Sequence, residues 1–226
     1  MVASGRPQVE SKSLNLWKQQ LGAVPASLWD NTALETLILA DNALTELPAG
    51  IGALTSLRTL DLGHNLLTDL PESLGQLTGL TDYLYLHDNK LTALRESLFA
   101  RLLRLRYLNV SDNQLTQLPS SIGRLWSLEE LRADGNQLST LPASFSELEG
   151  LHELHLRDNQ FRELPAALRG LPRLSYLDLR GNPFTELPDW IVDWSSLQKL
   201  DLRWVRLSYV PPAVAELEEH GCRVLL

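Results

Sequence analysis

The sequence predicts an α/β solenoid, with a curved parallel sheet of about nine short strands on its concave face and short helices and turns on its convex face. Three observations predict it. A motif recurs every 23 or 24 residues. An asparagine column, Asn42, Asn65, Asn89, Asn113, Asn136, Asn159 and Asn182, keeps that spacing, and a proline column, Pro25, Pro48, Pro71, Pro119, Pro142, Pro165, Pro188 and Pro211, runs in step with it, broken once at Arg95. Such a period marks a chain in which no repeat buries its own apolar face, so stacked neighbours build one continuous core. The register extends back to Gln19 and forward to Val205, giving nine copies, of which the two terminal ones lack the asparagine.

Each copy opens on a strand. In Leu57 to Pro71 the alternation around Leu60 and Leu62 turns one face inward, and identical strands one period apart must stack in parallel. The asparagine stands where the chain turns inward, and a buried amide with two donors and an acceptor can satisfy backbone groups of its own turn and of the neighbouring coil. Leu-Pro starts the return segment, where proline fixes the backbone and residues such as Ile51 and Leu54 come back to the core. Strands lie roughly 4.8 Å apart while return segments need more room, so the stack bends with the sheet inside. Residues 1–10 lack apolar periodicity and read as a disordered tail or cloning remnant. Residues 11–226 read as one repeat domain, with an N-terminal cap copy at 11–33 and a C-terminal cap at 205–226. In that cap Pro212 to His220 reads as a helix stopped by Gly221, and Cys222 to Leu226 as a last edge strand.

The pattern LxxLxLxxNxLxxLPxxIGxL resembles the leucine-rich-repeat family, specifically its 23-residue LPxxIGxL type, over roughly residues 11–217. That type is similar to the repeats of plant intracellular Ras-group proteins, Ras-pathway scaffolds and bacterial proteins that include secreted effectors. The resemblance implies a protein-binding scaffold or adaptor that recognises its partner on the concave sheet. The alternative it implies is a recognition module of, or companion to, a separate catalytic protein such as a bacterial effector ligase. With the repeats and their cap reaching residue 226, a ligase domain is not expected within these residues.

Two places break the register. One residue is added in Leu80 to Leu86, so a residue near Asp82 or Tyr83 must bulge if Leu84 and Leu86 are to stay in the core. A second addition falls in Phe99 to Arg104, beside the loss of proline at Arg95, and reads as a longer return segment.

Because the leucine, asparagine and proline columns serve folding, recognition falls to the outward columns. The third is Ser13, Thr36, Thr59, Asp82, Tyr107, Glu130, Glu153, Tyr176 and Lys199; the seventh ends in Arg157, Arg180 and Arg203; the eighth ends in Trp204. Arg157, Arg180 and Arg203 form a ladder flanked by Tyr176 and Trp204, and arginine and large aromatics are the types that most often anchor interfaces. The competing reading is a ladder neutralised by Glu153, Asp158, Asp178 and Asp201. Tyr85, His87 and Tyr107 form a second candidate cluster beside the bulge, with cross-strand packing as its plain alternative.

Composition excludes other classes. A net charge of −8 and a pI near 5.1 oppose nucleic acid or an anionic membrane as the target. No apolar run approaches the roughly 18 to 20 residues that span a bilayer, and no secretion signal follows Met1, so a cytoplasmic or host-cytosolic location is expected. A lone cysteine, Cys222, excludes an internal disulfide. No cofactor, no metal and no catalytic residue is expected: His64, His87, His152 and His155 lack regular ligand spacing, and Cys222 lacks an orienting partner. The partner expected is a protein, with an acidic segment suiting the arginines, and a monomer is expected over a homodimer.

Overall fold

The computed structural model describes residues 12–226, and in it ten strands form one open parallel sheet in chain order. They are β1 Ser13–Asn15, β2 Thr36–Ile38, β3 Thr59–Asp61, β4 Tyr83–Tyr85, β5 Tyr107–Asn109, β6 Glu130–Arg132, β7 Glu153–His155, β8 Tyr176–Asp178, β9 Lys199–Asp201 and β10 Arg223–Leu225. Residues 1–10, assigned to a tail from the sequence, lie outside the described residues. The middle residues of β2 to β9, from Leu37 to Leu200, are leucines buried completely, so the two residues flanking each face the opposite side. All four phenylalanines, Phe99, Phe145, Phe161 and Phe184, are wholly buried in the same core.

The return segments carry single 3-10 turns, Ala26–Asp30, Ala49–Ala53, Glu72–Gln76, Ser120–Arg124, Ala143–Glu147, Ala166–Gly170 and Asp189–Asp193, each following an extended proline. Proline supplies the extended entry and keeps the helix from starting a residue earlier. Where Arg95 replaces it and one residue is added, the turn widens into an α-helix, α1 Glu96–Phe99. Arg95 ion-pairs Asp69 of the preceding copy, and the Glu96 carboxylate accepts the Ser120 and Ser121 amides at 2.7 Å each, tying the variant repeat to both neighbours. After β9 the helix α2 Pro212–Glu219 covers the core with Ala213, Val214 and Leu217. Gly221, at φ +93°, then lets the chain reverse into β10, a conformation open to glycine alone without strain.

The asparagines bridge in one direction. Asn136 donates to Val110 O in the preceding copy at 3.0 Å and to Ala133 O and Asp134 O in its own, while its Oδ1 accepts the Leu115 amide of the preceding copy at 3.0 Å. Asn42 does the same for the first copy, accepting the Gln19 amide at 2.9 Å and donating to Leu16 O at 2.8 Å. Every asparagine thus serves the coil before it. That accounts for Gln19, since no described coil precedes it, but not for Val205, which follows a complete copy. There the bridge is lost, and the Val205 amide instead closes a turn onto Leu202 O at 3.0 Å.

Candidate partner-binding face

The added residue of the fourth copy settles which side chains face outward. In regular copies one carbonyl takes two successive amides, as Lys12 O takes those of Glu35 and Thr36. Here Thr81 O and Asp82 O each take one, from Arg106 and Tyr107, so the extra residue is absorbed ahead of β4. Tyr83, not Asp82, consequently pairs with Thr59 and Tyr107 in the third column. The assignment of Asp82 to that column is corrected, and Tyr83 joins the face. Asp82 turns aside and accepts two hydrogen bonds from Arg58, at 3.2 Å each.

Tyr83 lies parallel to Tyr85, with ring centroids 5.8 Å apart, and Tyr107 packs on both, 5.5 Å from Tyr83 and 5.1 Å from Tyr85. Aromatic pairs at this spacing each contribute roughly 0.5–1.5 kcal/mol beyond their burial. Burial pushes the Tyr107 phenol up to about 12 and raises that of Tyr85 as well. His87 stands at the edge of the cluster, 6.0 Å from Tyr85 and 4.7 Å from His64. Its ring occupies the space where a side chain on Gly63 would sit, and burial holds its pKa below the usual histidine value. His87 is therefore mostly packing, while Tyr83, 45% exposed, is the open member.

At the C-terminal end the expected arginine ladder divides. Arg180 makes a forked contact with Asp178, Nη2 to Oδ2 at 2.6 Å and Nε to Oδ1 at 2.9 Å, and lies 3.7 Å from Asp201. Arg203 forks onto Asp201 at 2.9 and 2.7 Å. Both aspartates are buried, at 1% and 0% exposure, so the two guanidiniums are what neutralise them. Burial works to raise the Asp201 carboxyl, but hydrogen bonds from Arg203 and the nearby Arg180 charge outweigh it, leaving it below the usual range. Arg157 stands apart and leans 3.3 Å from its neighbour Asp158. The side chain of Arg180 is only 19% exposed, against 44% for Arg203, so Arg180 is an internal brace and not the free interface residue its column suggested. Its guanidinium lies 5.5 Å from the ring centroid of Trp204, and Tyr176 is likewise capped by Lys199 at 4.6 Å and by His155 at 5.0 Å.

Column eight, read from the sequence as outward, has a backbone reason for its composition. Lys18, Asp41, His64, Asp88, Asp112, Gly135, Asp158, Gly181 and Trp204 all hold positive φ, between 49° and 68°. Aspartate and glycine tolerate that region, whereas a bulky side chain there is an outlier. Trp204 occupies it at φ 67° and is 68% exposed.

Sequence reasoning missed one further group. His155 Nε2 is buried, 3.8 Å from Glu130 and 3.7 Å from Glu153, with Asp134 and Asp178 on the same imidazole. Its signal, acidic residues at one strand position in adjacent copies, appears only when columns are compared in pairs. Burial raises the Asp134 carboxyl. Cys222 is buried and its thiol is raised by that burial, the opposite of what a nucleophile needs. No helix among the described residues is long and apolar enough to cross a membrane.

Comparison with known proteins agrees with this geometry. A leucine-rich repeat region matches residues 84–175, two-copy leucine-rich repeats match 32–76, and a single repeat matches 173–194. Among curated proteins none matches. A leucine-rich-repeat protein of Leptospira interrogans is 31% identical, with a TM-score of 0.82 over 90% of this chain and 52% of that one, so the chain spans about half its length. The leucine-rich-repeat domain of the type III effector XopL is 27% identical, with a TM-score of 0.81 over 97% of this chain and 77% of that one. The ectodomain of the receptor kinase GASSHO1/SCHENGEN3 from Arabidopsis thaliana, solved in complex with CASPARIAN STRIP INTEGRITY FACTOR 2, is 31% identical, with a TM-score of 0.73 over 89% of this chain and 25% of that one. With a repeat pattern, a ten-stranded sheet and an asparagine bridge that all coincide, the chain belongs to the leucine-rich-repeat family.

Proposed function

We propose that this chain is a protein-binding scaffold or adaptor whose concave sheet receives the partner. The observation that carries the reading is Trp204. Its indole is exposed and its backbone sits in the left-handed region that aspartate or glycine fills in six of the other copies, so folding alone would not select it. The repeat turn imposes this conformation in every copy, and a bulky residue held in it, at a cost of order 1–3 kcal/mol, is the kind of outlier that clusters at functional sites. Arg203 offers a partly exposed guanidinium beside it and Arg157 another two repeats away, Arg180 and Tyr176 hold the patch in place, and Tyr85, Tyr107 and His87 support a second patch around Tyr83. Such an arginine–tryptophan surface suits an acidic protein segment.

A photo-crosslinking residue at Tyr83 or Lys199, compared with one at the convex Arg124, tests which face is used. Adducts from the concave positions, lost in a Trp204→Asp variant that folds as well as the parent, are expected; adducts from Arg124 alone would sink the proposal. A second reading is a recognition module working beside a catalytic protein, cytoplasmic or delivered into a host cytosol. The likeness to an effector's repeat domain supports it, and reading the flanking genomic sequence tests it.

A further inference from the structure

The acidic-segment reading concerns the C-terminal end of the sheet, yet the groove nearer its middle has the opposite chemistry. An open groove of about 670 Å³ is lined by Tyr83, Tyr107, Glu130 and Glu153, with Arg58, Asp82, Arg106, Glu129 and His152 along its rim. That volume is in the range of sites that take up a side chain or small ligand. The rim charges cancel: Arg58 is spent on Asp82 at 3.2 Å, and Arg106 on Glu129 at 2.9 and 2.8 Å. Two carboxylates remain. Glu130 is held by Arg132 from outside the groove at 2.6 Å, whereas the only ion-pair neighbour of Glu153 among the described residues is His155, 3.7 Å away.

The aromatic walls are also unspent. Elsewhere on this face the chain caps its own rings with cations, Lys199 over Tyr176 and Arg180 over Trp204. Among the described residues no such cation lies over Tyr83, Tyr85 or Tyr107, although Tyr83 is open to solvent. Tyr107 and Glu153, two strands apart in one groove, attract a cation between them through the ring quadrupole and by direct charge.

We propose that this groove receives a basic side chain, arginine or lysine, of the partner protein, with Tyr83 and Tyr107 as walls and Glu153 as counter-ion. The proposal rests on the concave-face reading and gives the partner a basic anchor in addition to any acidic segment. The test uses three mixtures of capped nonapeptides, randomised except for a central Arg, Glu or citrulline, passed over the immobilised full chain. Citrulline keeps the shape of arginine and removes its charge. The Arg mixture should be retained about tenfold more than the citrulline mixture, and Glu153→Gln or Tyr83→Ala, each shown by circular dichroism to be folded, should remove most of that difference while Trp204→Asp leaves it intact. Equal retention of Arg and citrulline, or an Arg preference unmoved by both groove variants, overturns the proposal. Retention of the Glu mixture alone, lost in Trp204→Asp, overturns it while leaving concave-face binding standing; retention of none of the mixtures overturns both.

Discussion

Replacing Asn136 by alanine isolates what the asparagine column contributes. The side chain makes four hydrogen bonds, but their loss is unequal. Val110 O keeps the Asn113 Nδ2 at 3.1 Å, Ala133 O keeps the Asn159 Nδ2 at 2.9 Å, and Asp134 O keeps the Asp112 amide at 2.8 Å. The Leu115 amide has Oδ1 of Asn136 at 3.0 Å and no other partner among the described residues, so it alone is stranded in the core. An unsatisfied buried donor costs about 1–3 kcal/mol, and the weakened carbonyls add a few tenths, so a loss of about 2–3 kcal/mol is expected. In a chain of this length that corresponds to roughly 5–10 °C in Tm. Gln19→Ala removes one exposed bond, from Nε2 to Trp17 O at 3.1 Å, and should cost under about 0.5 kcal/mol. Thermal unfolding followed by circular dichroism reads both variants, and amide exchange at Leu115 should quicken in Asn136→Ala alone. Equal losses at the two positions, or an unchanged Leu115 amide, would refute the bridge as the source of the stability.

Other outcomes follow from the same contacts. Arg180→Ala strands the buried Asp178 carboxylate and should lower stability by about 1–3 kcal/mol in chemical denaturation, and adding Asp178→Asn should recover part of it; no loss, or no recovery, would show that the fork does not hold the patch. The carboxyl of Asp201 is depressed on folding, so its contribution is present above the unfolded carboxylate pKa and disappears as pH falls through the lower folded value. Asp201→Asn should therefore flatten the acid limb of the stability curve, and an unchanged limb would contradict the pairing with Arg203. The Cys222 thiol, buried and raised, should resist a disulfide reagent in the native protein and react fully in denaturant; rapid native labelling would show that α2 opens readily.

The sequence alone determined the period, the strands and the turns, because each of these is a local rule repeated nine times. Leu60 and Leu62 declare their strand by alternation, Pro71 its return turn by a fixed backbone angle, and Asn136 its bridge by being the one polar side chain in an apolar register. What the tertiary structure decided is which outward residues are free. Arg180 and Trp204 look equally available in their outward columns, yet Arg180 is consumed by Asp178 and Asp201 while Trp204 stands exposed on a strained backbone. Asp82 and Tyr83 are adjacent in sequence, and only the hydrogen bonds of Thr81 and Asp82 to the next strand show which of them reaches the face. The reason is physical: alternation is set by a residue's own backbone, whereas neutralisation and ring packing depend on atoms one repeat away, where a carboxylate and a guanidinium either meet within about 3 Å or are left to a partner.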